Sequence, residues 1–139
     1  PNRRAFLKLL KQGRVQGALA FAEDKPVGWC NFGPREDFPR LKRSRVLSYK
    51  AAPDTWSINC FFIAAGWRKR GIASALLKSA MTAAFERGAR VLEAYPTPQQ
   101  PGQNLVAPFA WTGTRALFDK AGFKPSAENE RVWVKKRKR

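Results

Sequence analysis

Apolar positions recur at two different spacings along this chain, and the first half is dominated by the two-residue spacing of strands. Residues 17–22 and 27–32, separated by the polar turn 23–26, predict a β-hairpin. Residues 55–63 end in an apolar run and predict a third strand. Before the hairpin, residues 3–12 mix apolar and basic side chains in a pattern typical of an amphipathic helix.

The second half of the chain has helical spacings alternating with short strands. Residues 71–87 predict the longest helix, because apolar side chains recur at three- and four-residue intervals and Gly88 follows as a C-cap. A strand at 91–95, a helix at 112–121 and a strand at 132–134 follow. This order predicts an α/β fold with a mixed, mostly antiparallel central sheet flanked by helices. The strands on either side of the longest helix are expected to be parallel and joined by a right-handed crossover.

Two long loops interrupt this pattern. Residues 33–53 carry prolines, arginines and few apolar positions, and they predict a loop with a helical turn near 38–41. Residues 96–108 are proline-rich and predict a second loop. Loops of this length in compact domains are often functional.

The composition predicts one globular domain. The chain has 139 residues, of which 44% are hydrophobic, enough to bury a core. We expect residues 1–134 to form the domain and residues 135–139 to form a basic C-terminal tail. No apolar run has the length of a membrane span and no export signal is recognised, so a cytoplasmic location without membrane contact is expected.

The charge is strongly positive, and this excess predicts attraction to polyanions. The chain has 27 lysines and arginines against 10 acidic residues, a net charge of +17. Arg40, Lys42, Arg43 and Arg45 crowd one loop. Two interpretations stay open: a solvated basic surface, or a polyanionic partner such as tRNA, rRNA or the ribosome.

The residue types present exclude several kinds of catalytic site. The chain has no histidine, which removes histidine-based triads, most zinc sites and the usual general base, and we expect no metal. Cys30 and Cys60 are too few for a disulfide framework, and they are interpreted as buried strand residues rather than nucleophiles.

Residues 68–73 combine three cations with a glycine at the point where the third strand leads into the longest helix. Unpaired N–H groups and the positive end of the helix dipole suit a phosphate there. Gly71 allows a tight turn and a close approach by an anion. An ordinary basic turn would have the same composition, so the motif alone does not decide between the two interpretations.

The pattern Arg68-x-x-Gly71-x-Ala73, with Phe118-x-x-x-Gly122-Phe123 downstream, resembles the paired signature of the GNAT acyltransferase superfamily. The resemblance covers roughly residues 15–135. It implies a GNAT-like fold whose first strand and helix are missing here, so that either the chain is truncated or a homodimer completes the sheet. It also implies acetyl-CoA, or another acyl-CoA, as the donor in direct transfer to an amine.

The resemblance further implies which residues hold the donor. Backbone amides at 69–74 would cradle the pyrophosphate, and the edge of the third strand would pair with the pantetheine where two strands splay apart. A backbone N–H near Phe62 or Ile63 would polarise the thioester carbonyl. The cofactor-binding residues implied in this way are Phe61, Phe62, Ile63, Arg68, Lys69, Arg70, Gly71, Ile72, Ala73, Ser74 and Phe118.

The chain departs from the family pattern where proton transfer is concerned. Phe118 stands where many members carry a tyrosine, and residues 55–63 contain no carboxylate to act as the usual base. Glu93 and Tyr95 alternate onto one face of their strand and are the candidate catalytic residues, with ordinary strand residues as the alternative.

The acceptor is not identified by these residues. Trp29, Asn31 and Arg35, with the loop up to Arg45, are candidates for an acceptor pocket, against an interpretation as packing and solvated charge. The leading hypothesis is an N-acetyltransferase acting on an amine. The alternative is a non-catalytic acyl-CoA-binding or nucleic-acid-binding module. A third hypothesis joins the two, in an acetyltransferase steered to an RNA-linked amine.

Overall fold

Six strands form one mixed sheet in the order β1-β2-β3-β4-β6-β5. The computed structural model describes residues 16–97 and 113–138, and every structural statement below concerns those residues. Only the β3–β4 pair is parallel, and the other neighbouring pairs are antiparallel. The strands are β1 (Gln16–Ala22), β2 (Lys25–Pro34), β3 (Thr55–Ile63), β4 (Val91–Ala94), β5 (Lys124–Pro125) and β6 (Trp133–Lys136).

Three α-helices connect these strands, and their ends follow from local sequence. α2, the longest, begins after Gly71 and is followed by Gly88, whose φ of 108° is the left-handed conformation of a C-cap glycine. α3 begins after Thr114, whose hydroxyl accepts a hydrogen bond from the backbone N–H of Leu117. The helices are α1 (Pro39–Arg43), α2 (Ile72–Glu86) and α3 (Arg115–Lys120), and a 3-10 turn spans Arg35–Asp37.

The predicted hairpin and the predicted parallel crossover are both confirmed. β1 and β2 pair across a turn in which Glu23 and Asp24 both have positive φ, as a two-residue hairpin turn of the right twist requires. β3 and β4, joined through α2, are parallel. β3 also carries an irregularity in its register with β2, where Asn59 is passed over between the partners of Asn31 and Phe32.

Side chains alternate between two faces of the sheet, and each face has its own core. The face that packs against α2 and α3 carries Phe32, Ile58 and Leu92, with Phe118 and Phe123 from the helical side. The opposite face carries a smaller cluster of Leu41, Tyr95 and Val132, flanked by partly buried side chains of the 38–49 segment and of β6.

The predicted fold class, a mixed and mostly antiparallel sheet flanked by helices, is confirmed, and the differences are at the ends of elements. β5 was not predicted, because two residues carry no periodicity. The final strand extends to Lys136, so Lys135 and Lys136 pair with β4 instead of belonging to the predicted tail 135–139. The predicted helix at 3–12 and most of the loop at 96–108 lie outside the described residues.

None of the helices in the described segments has both the length and the apolar composition needed to cross a membrane.

Candidate active site

The segment between β3 and α2 forms a turn that exposes the N-terminus of the longest helix. Lys69 and Gly71 have φ values of 62° and 79°, both left-handed. Gly71 occupies the N-cap position, where no side chain caps the helix and no acidic residue stands in the first turn. A Cβ on Gly71 would meet no atom within 4 Å, so the glycine is required by its backbone angle and open space lies beside it. The first N–H groups of α2 are therefore available to an anion.

The basic side chains of this turn are oriented by contacts with their own segment. Arg68 donates from Nε to the carbonyl of Ile63 at 3.2 Å. The guanidinium of Arg70 lies over the ring of Trp67, 4.9 Å from its centroid. Arg68, Lys69 and Arg70 are all exposed. The turn thus combines an uncapped helix N-terminus with three cations, two of them held in place.

β3 and β4 pair over only three residues and then separate. The last pair is Ser57 with Glu93, and beyond it the β4-facing edge of β3 has no strand partner among the described residues. Phe61 is buried beside this gap and packs edge-to-face on Phe118, with ring centroids 6.1 Å apart. Phe62 is exposed. The packed rings of Phe61 and Phe118, both named from the sequence, therefore lie next to the gap.

A cavity of about 240 Å³ lies between α2 and α3, on the helical side of the sheet. It starts at the first turn of α2, continues along that helix, and is mostly apolar with two lysines in its wall. The lining residues are Ser74, Leu77, Lys78, Met81, Leu117, Lys120 and Ala121. An extended ligand could pass from the helix N-terminus into this space.

A buried polar cluster stands where β3 and β4 separate. Glu93 is fully buried and forms an ion pair with Arg35. Its carboxylate also accepts hydrogen bonds from the hydroxyls of Tyr49, at 2.5 Å, and of Tyr95. Ser57, opposite Glu93 in the ladder, shares a 2.7 Å hydrogen bond with the Tyr95 hydroxyl. Three donors therefore surround Glu93.

Electrostatics keep both tyrosines of this cluster protonated. Burial raises the pKa of Tyr95 above its ordinary value, although the hydrogen bond to Ser57 and the charge of Arg35 oppose the shift. Burial likewise raises the pKa of Tyr49. Each hydroxyl therefore remains a donor to Glu93 at neutral pH, and the cluster is fully hydrogen-bonded.

A second cavity, of about 540 Å³, lies at the N-terminal end of β3, next to Thr55 and Trp56. Arg35 and Tyr49 line it and also bind Glu93, so the cavity and the polar cluster share a wall. Lys42 of α1 stands in the same wall.

Of the three residues proposed for the acceptor pocket, only Arg35 lines this cavity. Trp29 instead lies across β1, where a Cβ on Gly17 would come within 2.0 Å of its ring. Asn31, the third of them, lies on β2 outside this lining. The predicted loop up to Arg45 contributes Glu36 and Lys42 to the lining, and the rest of the larger cavity comes mainly from the 49–56 segment rather than from the middle of β2.

The two cysteines stay protonated in this fold. Cys30 is fully buried, and burial, with a smaller effect of Cys60, raises the pKa of its thiol to about 12. Cys60 is half-buried, and burial raises the pKa of its thiol as well. Neither thiol is therefore activated as a nucleophile. The described residues also contain no group of three or more metal-ligand side chains.

The structure brings together several residues that the sequence named separately. Glu93 and Tyr95 are hydrogen-bonded, and Phe61 and Phe118 are in contact. The residues at 69–74 meet at the N-terminus of α2. Whether each of them binds a cofactor or takes part in catalysis stays a prediction.

The cluster also includes two residues that sequence reasoning missed. Ser57 could have been found from the parallel pairing of β3 with β4, because it lies opposite Glu93 in the ladder. Tyr49 comes from a loop without periodicity, and no sequence signal places it beside Glu93.

Comparison with known proteins identifies the family. The model of the acetyltransferase (GNAT) family matches residues 2–107. No curated protein sequence matches the chain significantly.

Solved structures of acetyltransferases share the fold. Ribosomal-protein-alanine N-acetyltransferase from Brucella melitensis matches with a TM-score of 0.55 and 20% identity, over 96% of this chain and 74% of its own. PaiA N-acetyltransferase from Thermoplasma acidophilum, in complex with coenzyme A, matches with a TM-score of 0.60 and 14% identity, over 96% and 68%. Aminoglycoside acetyltransferase AAC(6')-Ib, also in complex with coenzyme A, matches with a TM-score of 0.63 and 17% identity, over 94% of this chain and 70% of its own. At these identities the likeness concerns the fold.

Proposed function

Since this chain belongs to the acetyltransferase (GNAT) family, we propose that it transfers an acetyl group from acetyl-CoA directly to an amine. The observation that carries the proposal is the gap that opens between β3 and β4 after the Ser57–Glu93 pair, beside the uncapped N-terminus of α2. The fold is shared with acetyltransferases solved in complex with coenzyme A. A pyrophosphate at the helix N-terminus and a thioester in the gap would lie on one path along β3.

The pyrophosphate is assigned to the turn at 68–74. The first N–H groups of α2 have no capping side chain, and the left-handed Gly71 leaves open space beside them. Arg68 and Arg70 are already oriented by Ile63 and Trp67, so little side-chain entropy is lost when they meet an anion. Helix dipole, N–H donors and cations all favour the doubly charged pyrophosphate.

The pantetheine is assigned to the free edge of β3. Backbone groups of Phe61, Phe62 and Ile63 would pair with its amides as a neighbouring strand does, and the 240 Å³ cavity between α2 and α3 would take part of the chain. Phe118 supports this edge from behind through its contact with Phe61. Its role is then to shape the wall beside the thioester.

Direct transfer needs a neutral amine, an oriented thioester and stabilisation of the developing oxyanion. The amine nitrogen attacks the carbonyl carbon, the carbon–sulfur bond breaks, the nitrogen loses a proton and the sulfur gains one. A backbone N–H near Phe62 or Ile63 would donate to the carbonyl oxygen as negative charge develops on it. Positioning of the two reactants supplies much of the rate.

Glu93 and Tyr95 are assigned to holding this geometry rather than to exchanging protons. Glu93 already accepts hydrogen bonds from Arg35, Tyr49 and Tyr95, and burial raises the pKa of Tyr95, which makes it a weak acid. Phe118 has no proton to give. Water is then the carrier of the proton from nitrogen to sulfur.

A second candidate is an acyl-CoA-binding module without turnover. Two observations favour it. The carboxylate of Glu93 already accepts three hydrogen bonds, and Phe118 has no hydroxyl, so neither residue offers a proton-transfer group at the gap. The two candidates share the acyl-CoA site and differ only in whether the CoA thiol is released.

Calorimetric binding of acetyl-CoA, followed by a CoA-thiol assay with a panel of primary amines, tests the proposal. We expect saturable binding and amine-dependent thiol release. Acetylpantetheine, which lacks the pyrophosphate, should bind at least about tenfold more weakly, a difference of about 1.4 kcal/mol. Binding without release would select the second candidate. No binding of acetyl-CoA, or equal binding of acetylpantetheine, would contradict the donor site.

A further inference from the structure

Every charged residue in the segment from Pro39 to Lys50 is a cation. The segment carries five exposed cations and no acidic residue. None of these cations takes part in the ion pairs formed within the described residues, which are Arg35–Glu93, Arg90–Asp54 and Lys124–Asp119. We call this segment the basic loop, and its cations are Arg40, Lys42, Arg43, Arg45 and Lys50.

The basic loop is fixed to the domain. Leu41, only 4% exposed, packs in the second core with Tyr95 and Val132. The carbonyl of Leu47 accepts a hydrogen bond from Arg35, and that of Val46 accepts one from Asn129 at 2.7 Å. Contacts of this kind fix the backbone from which the five cations project.

The basic loop also borders the candidate acceptor side of the site. Lys42 and Tyr49 line the 540 Å³ cavity, and Tyr49 reaches Glu93 where β3 and β4 separate. A cavity of this size is within the range of small-ligand sites. A long anion lying on the basic loop would therefore have one of its groups beside the cavity and near the gap.

We propose that the basic loop binds the phosphates of RNA and that the acceptor amine is carried on an RNA molecule. This acceptor class rests on the proposed acetyl transfer, whereas the RNA contact itself does not. The phosphates of RNA offer regularly spaced negative charges to five exposed cations with no acidic residue among them, and a protein of net charge +17 attracts such a polyanion. An acidic peptide is the competing ligand.

The contact is tested by fluorescence anisotropy with a labelled oligouridylate and with total transfer RNA, at several salt concentrations. The first variant combines R40S, K42S and R43S. The matched control combines K25S, R137S and K138S, three exposed cations elsewhere on the described surface and outside the ion pairs named above, so that both variants lose the same charge.

We expect the basic-loop variant to lose about two units of the slope of log affinity against log salt, at roughly 0.7 per phosphate contact. Its affinity at low salt should fall about tenfold or more, and the control should fall less than about threefold. Equal losses in the two variants, or displacement of the RNA by polyglutamate at equal charge concentration, would overturn the RNA contact.

The acceptor class is tested separately with radiolabelled acetyl-CoA and total transfer RNA. Label that becomes acid-precipitable and is released by ribonuclease supports it, and the basic-loop variant should reduce this label more than the control does. Acetylation of small amines without any label in RNA would overturn the acceptor class and leave the proposed transfer intact. RNA binding without acetyl-CoA binding would overturn both the transfer and the acceptor class while the RNA contact stands.

Discussion

Gly71→Ala, compared with Gly88→Ala, separates the binding role of the α2 N-terminus from its structural role. The two glycines flank the same helix and both have positive φ, 79° at Gly71 and 108° at Gly88. A Cβ added at either position would meet no atom within 4 Å, so steric overlap contributes nothing at either end. Backbone strain is the shared effect, and only Gly71 lies beside the proposed pyrophosphate.

The expected magnitudes follow from that strain. An L-residue held in the left-handed region costs about 1–2 kcal/mol, so each variant should lose about that much stability. For a domain of this size the melting temperature should fall by very roughly 3–8 °C. At Gly71 the turn can relieve the strain by rotating its peptide groups, which misaligns the N–H donors. Loss of one hydrogen bond to a charged group, about 1.5–3 kcal/mol, weakens acetyl-CoA binding by tenfold or more.

Two measurements on each variant are needed, thermal unfolding without ligand and calorimetric titration with acetyl-CoA. We expect similar losses of stability, with weaker acetyl-CoA binding in Gly71→Ala alone. The titration should be made well below both melting temperatures, so that unfolding does not mimic weak binding. Equal dissociation constants for the two variants would refute the assignment of the pyrophosphate to this turn.

Three further predictions concern the polar cluster, the buried Cys30 and the contact between β1 and β2. Glu93→Gln leaves Arg35 without its charged partner and should cost about 3–5 kcal/mol in chemical denaturation; the double variant Arg35→Met with Glu93→Leu should recover this loss only in part, because the hydroxyls of Tyr49 and Tyr95 then lose their acceptor. Burial raises the pKa of Cys30 to about 12, so stability should be fully present below pH 9 and fall as the pH rises towards 12, and Cys30→Ala should flatten this decline in urea titrations. Gly17→Ala places a Cβ within 2.0 Å of the outer ring atoms of the partly buried Trp29, so the ring must move away from β1; we expect a changed tryptophan fluorescence spectrum, and an unchanged spectrum would contradict this packing.

Most of the sheet could be predicted from the sequence because periodicity and turn chemistry agree there. The hairpin has a polar turn between two alternating segments, and α2 has both a sustained apolar face and the glycine that ends it. The parallel β3–β4 pair follows from the length of that helical crossover. The basic turn at 68–73 was located for the same reason, because its glycine and cations stand at a strand-to-helix junction, and its binding of a pyrophosphate stays a prediction.

The polar cluster could not be predicted as a whole, because it depends on a loop without periodicity. Tyr49 and Arg35 reach Glu93 from separate parts of the connection between β2 and β3, residues 35–54. Alternation placed Glu93 and its donor Tyr95 on one face, but the other two donors, Arg35 and Tyr49, reach Glu93 through long-range contacts. The basic tail was predicted to start at Lys135, but Lys135 and Lys136 pair with β4. Their polar side chains gave no sign in the sequence that the strand continues.

The same cluster sets where the gap between β3 and β4 begins. Three residue pairs are a short parallel ladder, and pairing alone specifies its register weakly. A shift of β4 by one residue would turn Glu93 towards the apolar face that packs on α2, away from Arg35 and both tyrosines. An unpaired carboxylate there would cost several kcal/mol, far more than the difference between two alternative ladders. Apolar residues in place of Arg35 and Glu93 could equal the stability of the ion pair, but an apolar residue at position 93 could be buried on either face of the sheet and would not select one register. We therefore infer that the buried charges fix the Ser57–Glu93 pairing, and with it the position at which a thioester would enter the sheet.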